Sequence, residues 1–194
     1  MLSEKLKNKH IILASGSPRR QHFFNELGLD FEIRIKEVDE IYPSYLAEVE
    51  ITDFLAKLKA RPFQNELKSN DLLVTADTIV WLDNKAIGKP KNKEEAKAIL
   101  LNLSGKTHKV ISSVCITTKS KQTLINDTTL VKFKILNKNE IEYYIENYKP
   151  FDKAGSYGIQ EWIGYIGIEK IEGSYFNVMG FPVHKFYEEM LKLQ

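Results

Sequence analysis

Apolar residues recur along the chain in two patterns, short continuous runs and a spacing of three and four positions. The runs predict buried strands, and the wider spacing predicts amphipathic helices that pack one face on a core. No repeat or linker interrupts these patterns, so we expect one α/β domain over residues 1–194. The expected strands lie at residues 11–14, 31–35, 72–76, 79–82, 110–118, 123–136 and 162–171. The expected helices lie at residues 18–27, 46–60, 94–101, 138–147 and 182–193. A turn is expected at residues 83–85, and Asn137 and Glu140 are expected to form a capping box at the start of the helix 138–147.

Composition and charge exclude several classes of protein. Of the 194 residues, 43% are hydrophobic and 28% are charged, as in an ordinary soluble globular protein. The net charge of +2 is small and the lysines are mixed with glutamates, which argues against a general binder of nucleic acids or membranes. Cys115 is the single cysteine, and the apolar residues on both sides of it predict a buried thiol in the core. Residues 1–9 lack the apolar core of a signal peptide. We therefore expect a cytoplasmic protein with no membrane and no nucleic-acid partner.

The stretch from Ser15 to Arg20 is the first candidate site. Ser17 fits the N-cap of the helix at 18–27, Pro18 fits its first position, and Gly28 fits the left-handed position after its last turn. The free N–H groups and the positive dipole end of such a helix attract anions, and Arg19 and Arg20 add two guanidiniums beside them. A phosphate chain suits this arrangement. The alternative is a capped helix whose two arginines are simply solvated.

Carboxylates and a lysine form a second set of candidates. Asp77 lies between two apolar strand halves, where its charge is costly unless it is satisfied. It is either a catalytic acid or a structural aspartate bonded to loop N–H groups. Lys59 lies at the margin of an apolar helical stripe, so its ammonium reaches either a neighbouring cleft or bulk water. Asp39 and Glu40 lie in a surface loop, where carboxylates are available to a ligand or a metal.

The sequence lacks three other common catalytic patterns. Gly105-Lys106-Thr107 needs a glycine five residues before it to be a P-loop, and that position is Leu100. The four histidines have no metal-ligand spacing, and no G-x-S-x-G elbow is present. The carboxylates of Asp77, Asp39 and Glu40 suit chemistry at a polyphosphate, where they orient water or hold a hard divalent ion such as Mg²⁺. The cations that would accompany them are Arg19, Arg20, Lys59 and Lys89.

Seven short motifs, in order and spread over nearly the whole chain, resemble the Maf family of nucleoside triphosphate pyrophosphatases. Each motif alone is weak, whereas the ordered set is very specific. The motifs are A-S-G-S-P-R-R at 14–20, V-D-E at 38–40, L-A-K-L-K-A at 55–60, A-D-T-I-V at 76–80, G-K-P at 88–90, L-S-G-K-T-H-K-V at 103–110 and D-K-A-G-S-Y-G-I-Q at 152–160.

The resemblance implies a fold and a reaction. The implied fold is α/β, Maf/ITPase-like and two-lobed, with a central mixed sheet flanked by helices and a deep cleft. The implied reaction cleaves a nucleoside triphosphate between its α and β phosphates, which yields the monophosphate and pyrophosphate. The resemblance also implies a homodimer and a divalent cation, Mg²⁺ or Mn²⁺.

Three positions distinguish branches of the family that the chain resembles. The branch acting on dTTP and UTP carries arginine, threonine and glutamine where this chain has Arg19, Thr78 and Gln160. The branch resembling 7-methyl-GTP pyrophosphatases has tryptophan, glutamine and glutamate there. The resemblance therefore implies dTTP and UTP, and modified pyrimidine nucleotides are a further candidate substrate.

The chain departs from the family pattern in two places. Glu161 and Trp162 follow Gln160, where the family often continues with glycine. Tyr148-Lys149 precedes Pro150, where Gly-Glu is usual. Both changes bear on the rim of the cleft or on the base pocket, so the breadth of substrate is less strongly implied than the reaction type.

These observations assign a role to each candidate residue. Asp77 is expected to act as the general base toward the attacking water, with a metal-ligand role as the alternative. Glu40 is expected to bind the metal or to lie beside its ligands. Thr78 and Gln160 are expected to help select the base, since a glutamine amide pairs with a donor and an acceptor on a pyrimidine edge. The residues expected to hold the triphosphate are Ser15, Arg19, Arg20, Lys59 and Lys89.

Two rival functions stay open from the sequence. One is an enzyme of the same type with another substrate preference. The other is a nucleotide-binding regulator of cell division with little turnover, which the intact acid at Asp77 disfavours.

Overall fold

A seven-stranded mixed sheet is the centre of the structure. The computed structural model describes residues 1–193. Their strands are β1 (His10–Leu13), β2 (Phe31–Ile33), β3 (Asp71–Leu82), β4 (Lys85–Ile87), β5 (Thr107–Thr117), β6 (Gln122–Phe133) and β7 (Ile168–Glu172). They lie in the order β2-β1-β3-β5-β6-β7, with β4 paired to β3. The pairs β1–β2 and β1–β3 are parallel, whereas β3–β4 and β6–β7 are antiparallel.

Helices flank the sheet, as the sequence predicts. The five predicted helices begin and end within three residues of their predicted bounds, and the helix Lys138–Tyr148 carries the expected capping box of Asn137 and Glu140. Three short helices, Leu2–Leu6, Trp162–Gly167 and Tyr175–Val178, were not predicted. Two short 3-10 helices, Arg61–Glu66 and Ala154–Ser156, join these elements. The helices are α1 (Leu2–Leu6), α2 (Pro18–Glu26), α3 (Val49–Ala60), α4 (Lys93–Leu103), α5 (Lys138–Tyr148), α6 (Trp162–Gly167), α7 (Tyr175–Val178) and α8 (Val183–Lys192). In the described part of the chain, none of them has both the length and the apolar content to cross a membrane.

The chain divides into two compact units, as the two-lobed fold requires. The first unit contains residues 1–77 and 112–127 and the chain from Gly180 onward, and the second contains Thr78–Ile111 and Thr128–Met179. The boundary falls between Asp77 and Thr78, within one strand. The strand order and the helices confirm the expected mixed sheet with flanking helices. The cleft and the single domain over residues 1–194 stay predictions.

Each unit has its own apolar core. In the first unit, Ile12 and Leu73 on adjacent parallel strands pack with Ala56 of α3 and with Cys115. In the second unit, α4 and α5 cover the sheet, and Leu100 and Tyr144 are wholly buried. Cys115 is fully buried, as its apolar neighbours predict.

Three local predictions are wrong. Asp77 does not lie at a strand break, because β3 continues without interruption from Asp71 to Leu82. The turn predicted at 83–85 is shorter, because Asp83 and Asn84, both with positive φ, form a tight hairpin and Lys85 already belongs to β4.

Residues 162–171 are not one strand. The first six form α6, and only Ile168–Glu172 is extended. Their apolar and glycine content suits either state, but Ile163 and Gly167 are both buried, four residues apart, and that spacing fits one face of a helix.

Candidate functional site

The start of α2 forms one side of the candidate site in the first unit. The helix begins at Pro18 and ends before Gly28, whose φ of 65° is left-handed, as the sequence predicts. The hydroxyl of Ser17, at the N-cap, makes no capping hydrogen bond. Instead the buried Ser15 accepts the Ser17 N–H at 3.2 Å. The hydroxyl of Ser15 therefore shapes the loop before the helix.

Arg20 has a structural role that the sequence did not reveal. Its Nε donates to the carbonyl of Gly180 at 3.0 Å, and its Nη1 donates to the carbonyl of Ala76 at 2.9 Å. The same Nη1 lies 3.4 Å from the Ser15 hydroxyl. Arg20 therefore connects α2 to the residue immediately before Asp77, so it positions that carboxylate in addition to supplying charge.

Asp77, Lys59 and Glu40 form a compact charged cluster. The Lys59 ammonium donates to Asp77 at 2.6 Å and lies 3.0 Å from a carboxylate oxygen of Glu40. The side chain of Asp77 is 7% exposed, whereas that of Glu40 is 49% exposed. Lys59 therefore directs its ammonium to the buried acid and not to bulk water, which resolves the choice left open by its position on the helix.

Arg19 and Arg20 extend this cluster electrostatically. Burial lowers the pKa of Arg20 from its ordinary value, while the charges of Asp77 and Glu40 raise it and that of Arg19 lowers it. An arginine ordinarily titrates so far above neutrality that it keeps its charge. Arg19 and Arg20 thus add two positive charges to the ion pairs of Lys59 with Asp77 and Glu40, so the cluster carries three positive charges and two negative ones.

The other three predicted residues belong to the second unit. Thr78 follows Asp77 along β3 and is half-buried. Lys89 is exposed after β4, and the N–H of Gly155 donates to the carbonyl of Gly88 beside it at 3.1 Å. The side-chain oxygen of Gln160 is buried and, among residues 1–193, has no hydrogen-bond partner. The structure therefore brings Ser15, Arg19, Arg20, Lys59, Asp77 and Glu40 together in one unit, and the placement of the rest beside them stays a prediction.

The carboxylates fit a metal that is held jointly with the substrate. Within residues 1–193, no group of three or more His, Cys, Asp or Glu side chains is arranged to hold an ion. Mg²⁺, however, is usually bound by one or two carboxylates together with substrate phosphates and water, not by a cage of protein ligands. Asp77 and Glu40, which lie against the same ammonium, are the donors that match this requirement.

Sequence reasoning missed the partners of two cations. The carbonyls of Gly180 and Ala76 that hold Arg20 carry no sequence signal, because every residue has a carbonyl. Lys153, inside the motif at 152–160, is only 8% exposed and contacts Asp152 and Glu161. The only available signal was the departure at Glu161, which places a carboxylate close to that motif.

Sequence comparison identifies relatives along the entire chain. A protein from Flavobacterium johnsoniae named dTTP/UTP pyrophosphatase is 61% identical over 193 residues, covering 100% of both chains. Proteins of the same name are 60% identical in Flavobacterium psychrophilum, covering 98% of both chains, and 50% identical in Bacteroides fragilis, covering 94% of this chain and 95% of the relative.

Comparison with solved structures and with family models agrees with this result. A HAM1 protein from Coxiella burnetii has a similar fold, with a TM-score of 0.53 and 14% identity, covering 95% of this chain and 100% of that one. At that identity the likeness concerns the fold alone. A model described as Maf-like protein matches residues 10–193. The chain therefore belongs to the Maf family.

Proposed function

We propose that this protein is a hydrolase that converts dTTP and UTP to the nucleoside monophosphate and pyrophosphate. The observation that carries the proposal is the buried Asp77 bound to Lys59, beside Arg20, in a chain 61% identical over its full length to a relative named dTTP/UTP pyrophosphatase. A buried carboxylate next to several cations matches the chemistry of a triphosphate, which needs both counter-charge and a group that activates water.

The cations bind and orient the triphosphate. Lys59 and Arg19 offset the negative charge of the phosphates, and the charge of Arg20 adds to theirs while its Nε and Nη1 hold the backbone. For Lys89, the same role rests on the resemblance to the family. Because charge builds up on the bridging oxygen as pyrophosphate leaves, these cations stabilise the transition state more than the bound substrate.

Asp77 takes a proton from the attacking water. The water oxygen forms a bond to the α-phosphorus, the bond from that phosphorus to the bridging oxygen breaks, and pyrophosphate departs with the bonding electrons. The alternative role for the same carboxylate is to hold a divalent cation with Glu40. When bound there, Mg²⁺ or Mn²⁺ would supply counter-charge to the phosphates and acidify a coordinated water.

Gln160 provides the contact that favours a pyrimidine. Its amide offers an acceptor and a donor, which match the N3–H and O4 of thymine or uracil. The buried oxygen, which has no partner in the described chain, is costly until such a donor arrives. Thr78 and Arg19 also favour dTTP and UTP, because they match the residues that the dTTP and UTP branch of the family carries at these positions.

The test is a substrate panel with a matched inactive variant. Release of pyrophosphate and monophosphate is measured with dTTP, UTP, CTP, GTP and 7-methyl-GTP in the presence of Mg²⁺ or Mn²⁺. We expect dTTP and UTP to be the best substrates and D77N to lose about a hundredfold or more in turnover while remaining folded. If D77N turns over dTTP nearly as fast as the unaltered protein, Asp77 is not the general base. If the protein binds nucleotides saturably but releases no product, the rival function, a nucleotide-binding regulator of cell division, is supported instead.

The assembly and the compartment complete the proposal. We expect a homodimer, as the family resemblance implies, and sedimentation velocity distinguishes it from a monomer. We also expect the protein to act in the cytoplasm, because its single cysteine forms no disulfide and suits a reducing compartment.

A further inference from the structure

The loop that carries Gln160 is attached to α5 through one hydroxyl group. The N–H of Gly158 donates to the oxygen of Tyr144 at 3.0 Å, and the hydroxyl of Tyr144 donates to the carboxylate of Glu161. Burial and the nearby Glu161 raise the pKa of Tyr144, so the hydroxyl keeps the proton that it donates. The backbone is thus held two residues before Gln160 and one residue after it.

Lys153 completes this network. Its ammonium lies 3.1 Å from the second carboxylate oxygen of Glu161 and 2.7 Å from Asp152. Because Lys153 is 8% exposed, its charge requires a nearby partner, and Glu161 supplies one from the same loop. We call Tyr144, Lys153 and Glu161 the Glu161 network.

Two glycines make room for the loop. A Cβ at Gly158 would lie 2.7 Å from the side-chain carboxyl carbon of Glu161. A Cβ at Gly164 would lie 1.9 Å from the carbonyl oxygen of Ile159, the residue before Gln160. A Cβ at position 158 would therefore displace the Glu161 carboxylate, and α6 approaches the backbone of Ile159 this closely only because residue 164 lacks a side chain.

The two departures from the family pattern meet at this network. Tyr148 stacks on Tyr144 with ring centroids 5.1 Å apart and an interplanar angle of 24°. Trp162 packs on the neighbouring Tyr143 at 4.7 Å. One residue from each departure, Tyr148 and Glu161, therefore contacts Tyr144, whereas Trp162 lies outside the network against Tyr143.

From these contacts we propose that the Glu161 network positions Gln160 and so sets the preference for the pyrimidine base. The side-chain oxygen of Gln160 has no partner within residues 1–193, so the loop backbone determines where it points. The network holds that backbone on both sides. The inference rests on the proposed function, since it assigns Gln160 to the base.

The experiment compares Tyr144→Phe with Tyr143→Phe. The first variant removes the hydroxyl but keeps the stacked ring, and the second removes a hydroxyl from the exposed neighbour on the same helix. We expect Tyr144→Phe to raise the KM for dTTP and UTP by about tenfold, the usual effect of losing a hydrogen bond to a charged group, with kcat within about twofold. Tyr143→Phe should leave both constants unchanged.

A double-mutant cycle separates positioning from a general structural effect. In a Gln160→Ala background, Tyr144→Phe should cause no further rise in KM, because the residue through which it acts is gone. A further tenfold rise in that background, or an equal rise with Tyr143→Phe, would overturn the proposal. Glu161→Gln, which keeps the size of the side chain, gives the same test if Tyr144→Phe does not fold.

Failure of the proposed function would look different. If the unaltered protein releases no product from dTTP or UTP, that function fails, whereas binding of dTTP by calorimetry still reports on the network through the same variants. A tenfold weaker binding with Tyr144→Phe that disappears in the Gln160→Ala background supports the network. Equal dTTP affinity in all variants overturns it.

Discussion

At the scale of single residues, the charged groups of the site each have more than one partner. Lys59 contacts both Asp77 and Glu40, and Arg20 holds two backbone carbonyls while its charge interacts with both acids. Such shared contacts fix the geometry of the site before substrate binds, which lowers the cost of reorganisation during the reaction. Changing one of these groups therefore affects the position of the others.

Replacing Lys59 tests this dependence directly. Lys59→Gln removes the positive charge between the two acids, so we expect weaker triphosphate binding and a loss of kcat/KM of about a hundredfold, comparable to the removal of a positioned electrostatic group. Lys57→Gln is the matched control, because Lys57 is exposed on the same helix and its loss should leave kcat/KM within about twofold. Steady-state kinetics with dTTP measure both. Equal losses in the two variants would mean that overall charge, not the contact with Asp77, is responsible.

At the scale of elements, tertiary contacts override local preference in α6. Its sequence contains two glycines among apolar residues, a composition that predicts a strand equally well. The helix forms because Gly164 allows its backbone to approach the carbonyl of Ile159 more closely than any side chain would permit. Such a contact cannot be inferred from periodicity.

Gly164→Ala is therefore expected to lower the free energy of unfolding, although alanine usually stabilises a helix relative to glycine. Alanine is ordinarily favoured over glycine in a helix by about 1 kcal/mol, but here its Cβ would overlap the Ile159 carbonyl. We expect the free energy of unfolding to fall by about 1–3 kcal/mol, as in other overpacked sites, measured by urea denaturation. Gly167→Ala is the control on the same helix, because the nearest contacts of its Cβ would be side-chain atoms of Leu136 and Phe133 at 3.1 Å or more, so we expect a smaller loss of stability there. A stabilised Gly164→Ala variant would show that helix propensity prevails.

At the scale of the whole molecule, a buried histidine makes stability depend on pH. His108 is 1% exposed and its Nε2 is hydrogen-bonded to the hydroxyl of Tyr157 at 2.7 Å. Burial lowers the pKa of His108 from its ordinary 6.5 to about 4. The unfolded chain thus binds a proton between these two values that the folded chain does not, so the free energy of unfolding falls as the pH decreases through this range.

The expected contribution is measurable. Between pH 7 and pH 5, His108 should lower the free energy of unfolding by about 2 kcal/mol, and the loss should level off below pH 4. His108→Gln lacks the titrating ring, so its stability should change less over the same range. Urea denaturation of both proteins at several pH values gives the comparison. Parallel pH profiles would assign the acid sensitivity to other groups.

Much of the fold and part of the site could be predicted from the sequence. The helix from Pro18 with its terminal glycine, the capping box of Asn137 and the buried Cys115 are all confirmed, because each depends on neighbouring residues or on a local apolar run. The supposed strand break at Asp77 and the strand at 162–167 are wrong. In both places polar or glycine residues suggested an interruption or an extended chain that packing against other elements does not allow.

The sequence by itself determined the order of most elements, the candidate residues and the family, since these depend on patterns that are read along the chain. Only the tertiary structure decided that Lys59 turns to Asp77, that Arg20 holds the backbone before it, and that Tyr144 and Glu161 enclose the loop of Gln160. The physical reason is the same in each case. A charged or hydroxyl side chain finds its partner through the fold, and residues 14 to 56 positions apart come into contact only after distant strands and helices have packed.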